Sequence, residues 1–338
     1  MNTVLVTGGA GFIGSNFVYY MINKYDDINI INLDKLTYAG NLENLEGLAD
    51  NPRHEFVKGD ICDRELVDGL VARCDAIVHF AAETHVDRSI LSAGEFIQTD
   101  VHGTFCLLEA ARKHGVERFV HISTDEVYGD AGDEPSKETD PLMPRSPYAA
   151  SKTGADRLAF SYWTTHGVPV IITRCSNNFG PYQYPEKLIP LFVTNAIEDR
   201  QLPVYGTGKN TRDWIYVDDH CSGVDTVLRA DEKFNGEVFN VGAAKEFSVL
   251  EITDFILDYL GKPKSLIKPV EDRLGHVKRH AVNTAKIESQ LGWKAQFDFD
   301  ESMERTVRWY VENEKWWRGI KEKQEDYKKF MEKYYADK

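Results

Sequence analysis

The sequence predicts an α/β protein: a doubly wound parallel sheet with a smaller C-terminal region lying over its ligand-binding edge. Three observations lead there. Short apolar runs bounded by turn residues alternate with helical segments through the first half of the 338 residues. Those runs are continuously apolar rather than alternating, as suits strands covered on both faces. A glycine-rich turn joins the first run to the first helix. Strands and helices in strict alternation build a parallel sheet with helices on both sides.

The strand candidates are TVLVTG (3–8), NIINLD (29–34), HEFVKGD (54–60), AIVHFAA (76–82), RFVHIST (118–124) and PVIITR (169–174). Helices are expected between them, over 14–24 and 100–114 among others. After residue 175 the alternation loosens. Pro181, Pro185, Pro190 and Pro203 interrupt the segment 178–206, a basic and aromatic cluster follows, and a helix is expected at about 248–260. VFNVG (238–242) reads as a strand returning to the sheet, so the division is discontinuous in sequence. The expected organisation is a Rossmann domain over 1–175, a second domain mostly over 176–318 and a C-terminal helix over 319–338. In that helix Tyr327, Phe330, Met331 and Tyr334 fall at the spacing of an amphipathic face.

Composition excludes several classes of function. The chain is 42% hydrophobic, enough for a sizeable core, yet no stretch approaches 18 uninterrupted apolar residues, so no membrane span is expected. The N-terminus is strand-like rather than a charged segment leading into an apolar signal core, and a cytoplasmic protein is expected. A net charge of −14 argues against nucleic-acid binding. A few local Arg and Lys residues still suffice for a small anionic ligand. Five cysteines without CxxC spacing read as reduced core thiols. His276 and His280 have i,i+4 spacing but no accompanying Glu motif, so no metal is expected.

Thr7-Gly8-Gly9-Ala10-Gly11-Phe12-Ile13-Gly14 follows the first strand and opens a helix. Gly8, Gly11 and Gly14 permit the tight turn and let backbone amides approach a pyrophosphate at the helix N-terminus. Asp34 ends the second strand 20 residues after Gly14, where a carboxylate grips ribose hydroxyls. It would repel a 2′-phosphate, so NAD is expected over NADP, an argument that the neighbouring Lys35 opposes. Asp60 and Ile61, after the third strand, either cap the adenine or form an ordinary turn.

The catalytic candidates sit downstream. Tyr148 and Lys152 share one helical face, where an ammonium is expected to stabilise a phenolate and lower the tyrosine pKa. The spacing occurs four times, at Tyr20/Lys24, Tyr148/Lys152, Tyr205/Lys209 and Tyr334/Lys338. Context selects the second, which begins a helix after the fifth strand. Thr124, Asp125 and Glu126 stand at the C-terminal end of that strand, the side on which open sheets bind ligands. An enzyme that only moves hydride has no evident need of two more carboxyl groups. One that also eliminates water needs a base to take a proton from carbon and an acid to protonate the departing hydroxyl.

In combination, TGGAGFIG, DKLTYAGNLENL (34–45), FAAETHVDRS (80–89), STDEVYG, YAASK, NNFGPYQYPEKLIP (177–190) and LPVYGTGKNTRDWIYVDD (202–219) resemble the dTDP-glucose 4,6-dehydratases, extended short-chain dehydrogenase/reductase enzymes, over roughly residues 1–318. The resemblance implies that Tyr148, helped by Lys152 and Thr124, takes the sugar 4-hydroxyl proton while NAD⁺ accepts hydride from C4. Glu126 then removes the C5 proton, Asp125 protonates the C6 hydroxyl as it leaves as water, and the hydride returns to C6. The product is a 4-keto-6-deoxy sugar nucleotide. A neutral Asp125 beside an ionised Glu126 fits the need for acid and base to have separated pKa values.

The resemblance also implies cofactor contacts at Lys35, Leu36, Thr37, Phe80, Ala81, Ala82, Thr99 and Asn178. It places the nucleotide sugar against Thr84, Thr124, Asn177, Lys187, Leu188, Pro203, Val204, Tyr205, Arg212, Arg273 and His276. Arg212 and Arg273 would clamp the diphosphate and Tyr205 would stack on a pyrimidine. The chain departs from the family's usual DRPGHDRRY at Leu274, Val277 and His280, and lacks an Asn near Phe247 and Ser248 that often helps hold the nucleotide. Family members commonly dimerise through two helices per subunit, here about 98–114 and 148–166. Three alternatives stay open: a UDP-glucose 4,6-dehydratase, a nucleotide-sugar 4-epimerase, which has no need of Asp125 and Glu126, and a non-catalytic NAD-sensing protein.

Overall fold

A computed structural model of the chain describes residues 1–272 and 275–335. Six strands match the six apolar runs: β1 (Thr3–Thr7), β2 (Asn29–Asp34), β3 (His54–Lys58), β4 (Ala76–His79), β5 (Arg118–Thr124) and β6 (Val170–Cys175). Three short strands follow, β7 (Asn177–Phe179), β8 (Leu202–Tyr205) and β9 (Thr211–Tyr216). The chain then returns to the sheet as β10 (Val238–Val241). The order is β10-β6-β5-β4-β1-β2-β3, and every neighbouring pair is parallel. The direction of winding reverses between β1 and β4. The crevice beyond the strand ends at such a reversal is where open α/β sheets bind ligands.

The unbroken apolar runs have a simple cause. Successive strand residues face opposite sides of a sheet, and here both sides are core. Val4, Val6, Ile30, Val78, Val120, Ile171 and Phe239 pack with Phe17, Val18 and Met21 of the helix Phe12–Lys24 and Val224 and Val227 of the helix Val217–Leu228. Leu5, Ile31, Ile77, Phe119, Val170 and Ile172 meet Leu107 and Leu108 of the helix Thr104–His114 and Ala159 and Tyr162 of the helix Pro147–His166.

Two strands end two or more residues earlier than the apolar runs suggest. β3 stops at Lys58 and β4 at His79. Phe80 N still donates to Thr7 O at 3.1 Å and Ala81 N to Thr7 Oγ1 at 3.3 Å, so 80–82 fold over the end of β1 instead of extending the ladder. The helix expected over 100–114 is also divided. A π-helical segment, Ile97–Gly103, precedes Thr104–His114.

The rest of the chain forms an outer layer. β11 (Glu246–Ser248) and β13 (Arg279–His280) flank β9, which β7 also pairs, and β12 (Ile267–Val270) runs parallel to β8. These ladders sit on a third core containing Phe179, Trp214, Tyr216, Phe299, Tyr310 and Trp317. The helix Val249–Leu260 starts with a capping box, Ser248 and Glu251, that satisfies two orphan amides. The tail is two helices rather than one, Glu314–Lys323 and Glu325–Tyr335. Tyr327 and Phe330 are buried there and Met331 packs beside them. The side chain of Tyr334 lies outside the described residues.

Candidate active site

A deep cleft opens at the β1/β4 reversal, and most of the predicted site residues line it. Gly8, Gly11, Phe12, Ile13, Gly14, Asp34, Lys35, Thr37, Asp60, Ile61, Phe80, Ala81, Ala82, Thr99 and Asn178 form one end. Thr124, Asp125, Glu126, Tyr148 and Lys152 form the other, with Thr84, Asn177 and Lys187. Leu36 does not line it. Its side chain packs on the core, its φ is +55°, and its N–H donates to Asp34 Oδ1 at 2.7 Å.

The residues at the first end fit a dinucleotide. Gly8 has φ +74°, and a Cβ there would lie 2.7 Å from Ala81 N; a Cβ on Gly14 would lie 2.2 Å from Gly8 O. Only glycine lets the three strand-end segments meet. The helix Phe12–Lys24 starts at Gly11 with no side-chain cap. Its first amides therefore keep their hydrogen-bonding capacity for an anion. Asp34 is 8% exposed, and its oxygens accept from Ala10 N (2.9 Å) and Leu36 N (2.7 Å). Those bonds hold the carboxylate rigid with lone pairs left for ribose hydroxyls. Asp60 is both a turn acceptor and a lining residue: Oδ1 takes the Cys62 amide at 2.9 Å and Oδ2 pairs with Lys35 at 2.7 Å. Lys35 is thereby held by a carboxylate.

At the other end, β5 delivers its last residue and the turn after it to the cleft. Thr124 caps the turn Asp125–Tyr128, its Oγ1 accepting from Glu126 N at 3.2 Å. It also hydrogen-bonds Tyr148. Ser146 caps the helix Pro147–His166, with Pro147 in its first turn, and so sets Tyr148 and Lys152 one turn apart on the cleft side. Asp125 is buried, and its Oδ2 has no hydrogen-bond partner among the described residues. Burial, then the charges of Glu126 and Asp213, push its pKa well above the carboxyl range, against the pull of Arg212 and the Thr124 hydroxyl. That favours the protonated acid.

The Tyr148/Lys152 expectation needs correction. The Tyr148 pKa is well above, not below, that of ordinary tyrosine. Burial raises it first, and Glu126, Cys175 and Asp100 raise it further, opposed by the Thr124 hydrogen bond. Burial also lowers the Lys152 pKa, against Asp100, Cys175 and Asp156, and its Nζ donates to Ile122 O at 2.7 Å.

Asn177 and Lys187 join the cleft wall to the outer layer, where Leu188, Pro203, Val204, Tyr205, Arg212 and His276 stand off the wall. Asn177 pairs with Trp214 in the β7/β9 ladder, two residues from Arg212. Arg212 donates to the carbonyls of Thr211 (2.7 Å), Val277 (3.1 Å) and Lys278 (3.4 Å). Its charge nevertheless reaches Asp125. Pro203, Val204 and Tyr205 lie on β8, and the Tyr205 ring meets His276 edge-on at 6.4 Å. His276 Nδ1 is 2.6 Å from Asp272 Oδ1. Lys187 donates to Thr84 O at 2.6 Å and precedes the helix Leu188–Ile197, which Leu188 begins. Arg273 lies outside the described residues. Among those residues, no group of three or more His, Cys, Asp and Glu could hold a metal ion.

Sequence reasoning passed over several lining residues. Glu83 lies between Ala82 and Thr84, both predicted, and contiguity alone pointed to it. Its pKa is pushed up to about 7 by burial, then Asp100 and Glu95, against Arg88 and Lys35. Cys175 ends β6 and Ser176 follows it, as Thr124 ends β5 and Asp125 follows it, so their place at a strand's C-terminal end was the available signal. Behind the lining, Asp213, buried on β9 with a pKa raised to about 6 by burial, acts on Asp125 through its charge and was hidden in an aromatic run.

A family model described as GDP-mannose 4,6 dehydratase matches residues 5–306. The chain belongs to that family. Its relatives place this dehydratase-family chain with the group its motifs resemble. A dTDP-glucose 4,6-dehydratase of Actinoplanes sp. is 49% identical over 321 residues, covering 93% of this chain and 99% of its own. The low-salt glycan biosynthesis protein Agl12 of Haloferax volcanii is 53% identical over 308 residues, covering 91% and 98%. The crystal structure of DesIV, a dTDP-glucose 4,6-dehydratase from Streptomyces venezuelae solved with NAD bound, superposes with a TM-score of 0.92 at 49% identity. It covers 94% of this chain and 99% of that one.

Proposed function

We propose that this protein is an NAD-dependent dTDP-glucose 4,6-dehydratase, converting the substrate to the 4-keto-6-deoxy sugar nucleotide and water. The observation that carries the reading is the convergence of Asp125, Glu126 and Tyr148 on one cleft beside a dinucleotide cradle. A 4-epimerase or an NAD sensor has no use for the two carboxyl groups.

When bound, NAD supplies the acceptor for hydride leaving sugar C4 and the donor that returns it to C6. The chain supplies the proton chemistry. Tyr148, as the phenolate, takes the 4-hydroxyl proton, with Thr124 orienting its oxygen and the buried Lys152 ammonium stabilising its charge. The ketone at C4 acidifies C5, whose proton passes to the Glu126 carboxylate, and Glu126 gives a proton back to C5 when C6 is reduced. Asp125, held protonated by burial, gives its proton to the C6 hydroxyl as the carbon–oxygen bond breaks and water leaves. Proximity and general acid–base help each contribute, the latter typically about 10²–10⁴-fold.

The cofactor belongs to the sheet and the nucleotide sugar to the ladders around β7, β8 and β9. This division accounts for the discontinuous boundary. The protein works as a cytoplasmic homodimer through 98–114 and 148–166. Val101 and Phe105 remain partly exposed and suit that interface, whereas Leu108 belongs to the core. No helix among the described residues is long and apolar enough to cross a membrane. Light scattering on purified protein tests the dimer.

Incubation with dTDP-glucose and NAD tests the activity. A 4-keto product with no net change in NADH is expected; a C4 epimer or no turnover would overturn the reading. Thymine and uracil differ by one methyl, worth about 1–3 kcal/mol in a fitted pocket. Steady-state kinetics should therefore favour dTDP-glucose over UDP-glucose by about 10–200-fold in kcat/KM. A preference for UDP-glucose would reassign the nucleotide and leave the reaction.

A further inference from the structure

Asp100 lies beneath the cleft rather than in its wall. It sits in the π-helical segment Ile97–Gly103, next to Thr99, and is 1% exposed. Two elements donate to its carboxylate. Glu83 N reaches Oδ1 at 2.9 Å from the cleft wall, and Ser151 Oγ reaches Oδ2 at 2.5 Å from the helix that carries Tyr148 and Lys152. A purely mechanical tie needs only an acceptor and a donor. An amide would provide both without the desolvation penalty of a buried charge. The carboxylate adds something an amide lacks, an electric field directed at its charged neighbours.

Resting on the dehydratase reading, we infer that Asp100 is a positioning residue whose buried negative charge sets the protonation of Lys152 and Tyr148 together, while its hydrogen bonds tie the catalytic helix to the wall carrying Thr84. The groups facing this pair come from every packed element. Lys152 feels Asp100, Cys175 and Asp156, and its charge in turn acts on the buried His79 and His121, whose pKa values burial holds well below the usual range. Tyr148 feels Glu126, Cys175 and Asp100 and is bonded by Thr124. Glu83 feels Asp100 and Glu95. Asp100 titrates at about 6, raised by burial and held down by Lys152, Ser151 and the Glu83 amide.

The direction of the effect follows. Above about pH 6 the Asp100 anion holds the proton on Lys152 and also on Tyr148. Without the charge, each group gives up its proton at lower pH. Activity needs a deprotonated Tyr148 on the acid limb and a protonated Lys152 on the alkaline limb, so both limbs move the same way.

The test compares Asp100→Asn, which keeps the shape and removes the charge, with Ser151→Ala, which keeps the charge and removes one donor. Two readouts apply: the pH profile of kcat with dTDP-glucose, and the ultraviolet phenolate titration of each protein minus its Tyr148→Phe counterpart. Asp100→Asn should displace both limbs to acid by roughly one pH unit, with the curves merging below about pH 6, where the native acid is protonated. Ser151→Ala should leave the limbs in place. If Asp100→Asn misfolds, Asp100→Ser carries the same expectation. A profile that superposes on the parent's, or equal displacement by both substitutions, would overturn the inference. Failure to turn over dTDP-glucose would sink the dehydratase reading alone, because the phenolate titration still decides the role of Asp100.

Discussion

Tyr20/Lys24 and Tyr148/Lys152 have the same i,i+4 spacing on two helices of one sheet, yet they end in opposite states. Lys24 is 46% exposed in its side chain; its Nζ donates to Tyr20 Oη and to Asp225 Oδ2, each at 2.7 Å. Burial works against its ammonium, but Asp225 and Tyr20 outweigh it and raise the pKa. Lys152 is buried, donates to a strand carbonyl, and has its pKa lowered. Helical spacing brings a phenol and an amine within reach. Water decides the rest. The half-solvated pair satisfies itself with Asp225, a buried carboxylate at its edge, whereas the buried pair depends on whatever the sheet ends place around it. A catalytic pair needs the second condition, since its charges must be free to respond to substrate.

The largest effect that would break this comparison is on turnover. Tyr148→Phe should lose up to about 10⁴-fold in kcat, at the upper end for general acid–base catalysis, while Tyr20→Phe leaves kcat unchanged. Equal losses would mean that spacing, not environment, matters. Next come the carboxyl groups that share the buried end. Asp125→Asn and Glu126→Gln should each slow water elimination by about 10²-fold or more yet keep some C4 oxidation, seen as transient absorbance of reduced cofactor. Should both variants form the 4-keto-6-deoxy product at the parent rate, the two carboxyl groups are structural.

The smallest effect is thermodynamic. Glu83 has a folded pKa of about 7 against an ordinary 4.5. A raised folded pKa gives stability that is complete below the unfolded value and lost as pH rises through the folded one. Glu83→Gln should therefore gain on the parent by about 1–3 kcal/mol between pH 4.5 and pH 8, measured by urea unfolding of the cofactor-free protein. Lys24→Gln should show no slope over that range, because Lys24 titrates far above it. A flat Glu83→Gln difference would mean that water reaches that carboxyl and that the buried end is wetter than its geometry implies.

Much of the site was legible because it is built from sequence-local rules. The fingerprint Gly8 to Gly14, Asp34 at the end of β2, and Thr124 to Glu126 at the end of β5 each follow a strand that a continuous apolar run announces. The outer layer was much less legible. β7, β11 and β13 are two or three residues long and have no periodicity to detect. The positions of Arg212 and Tyr205 depend on ladders joining segments far apart in the chain.

By itself the sequence determined the fold class, the order of βαβ units, the place of the dinucleotide turn and the residues gathered at the strand ends. All of these rest on spacing and apolarity over a few consecutive residues. Only the tertiary structure decided which way each pKa moves. The lowered pKa of Lys152, the raised pKa values of Asp125 and Tyr148 and the carboxylate of Asp100 beneath them depend on which distant segments exclude water. A residue's desolvation is a property of its neighbours in space, and a spacing along the chain does not contain it.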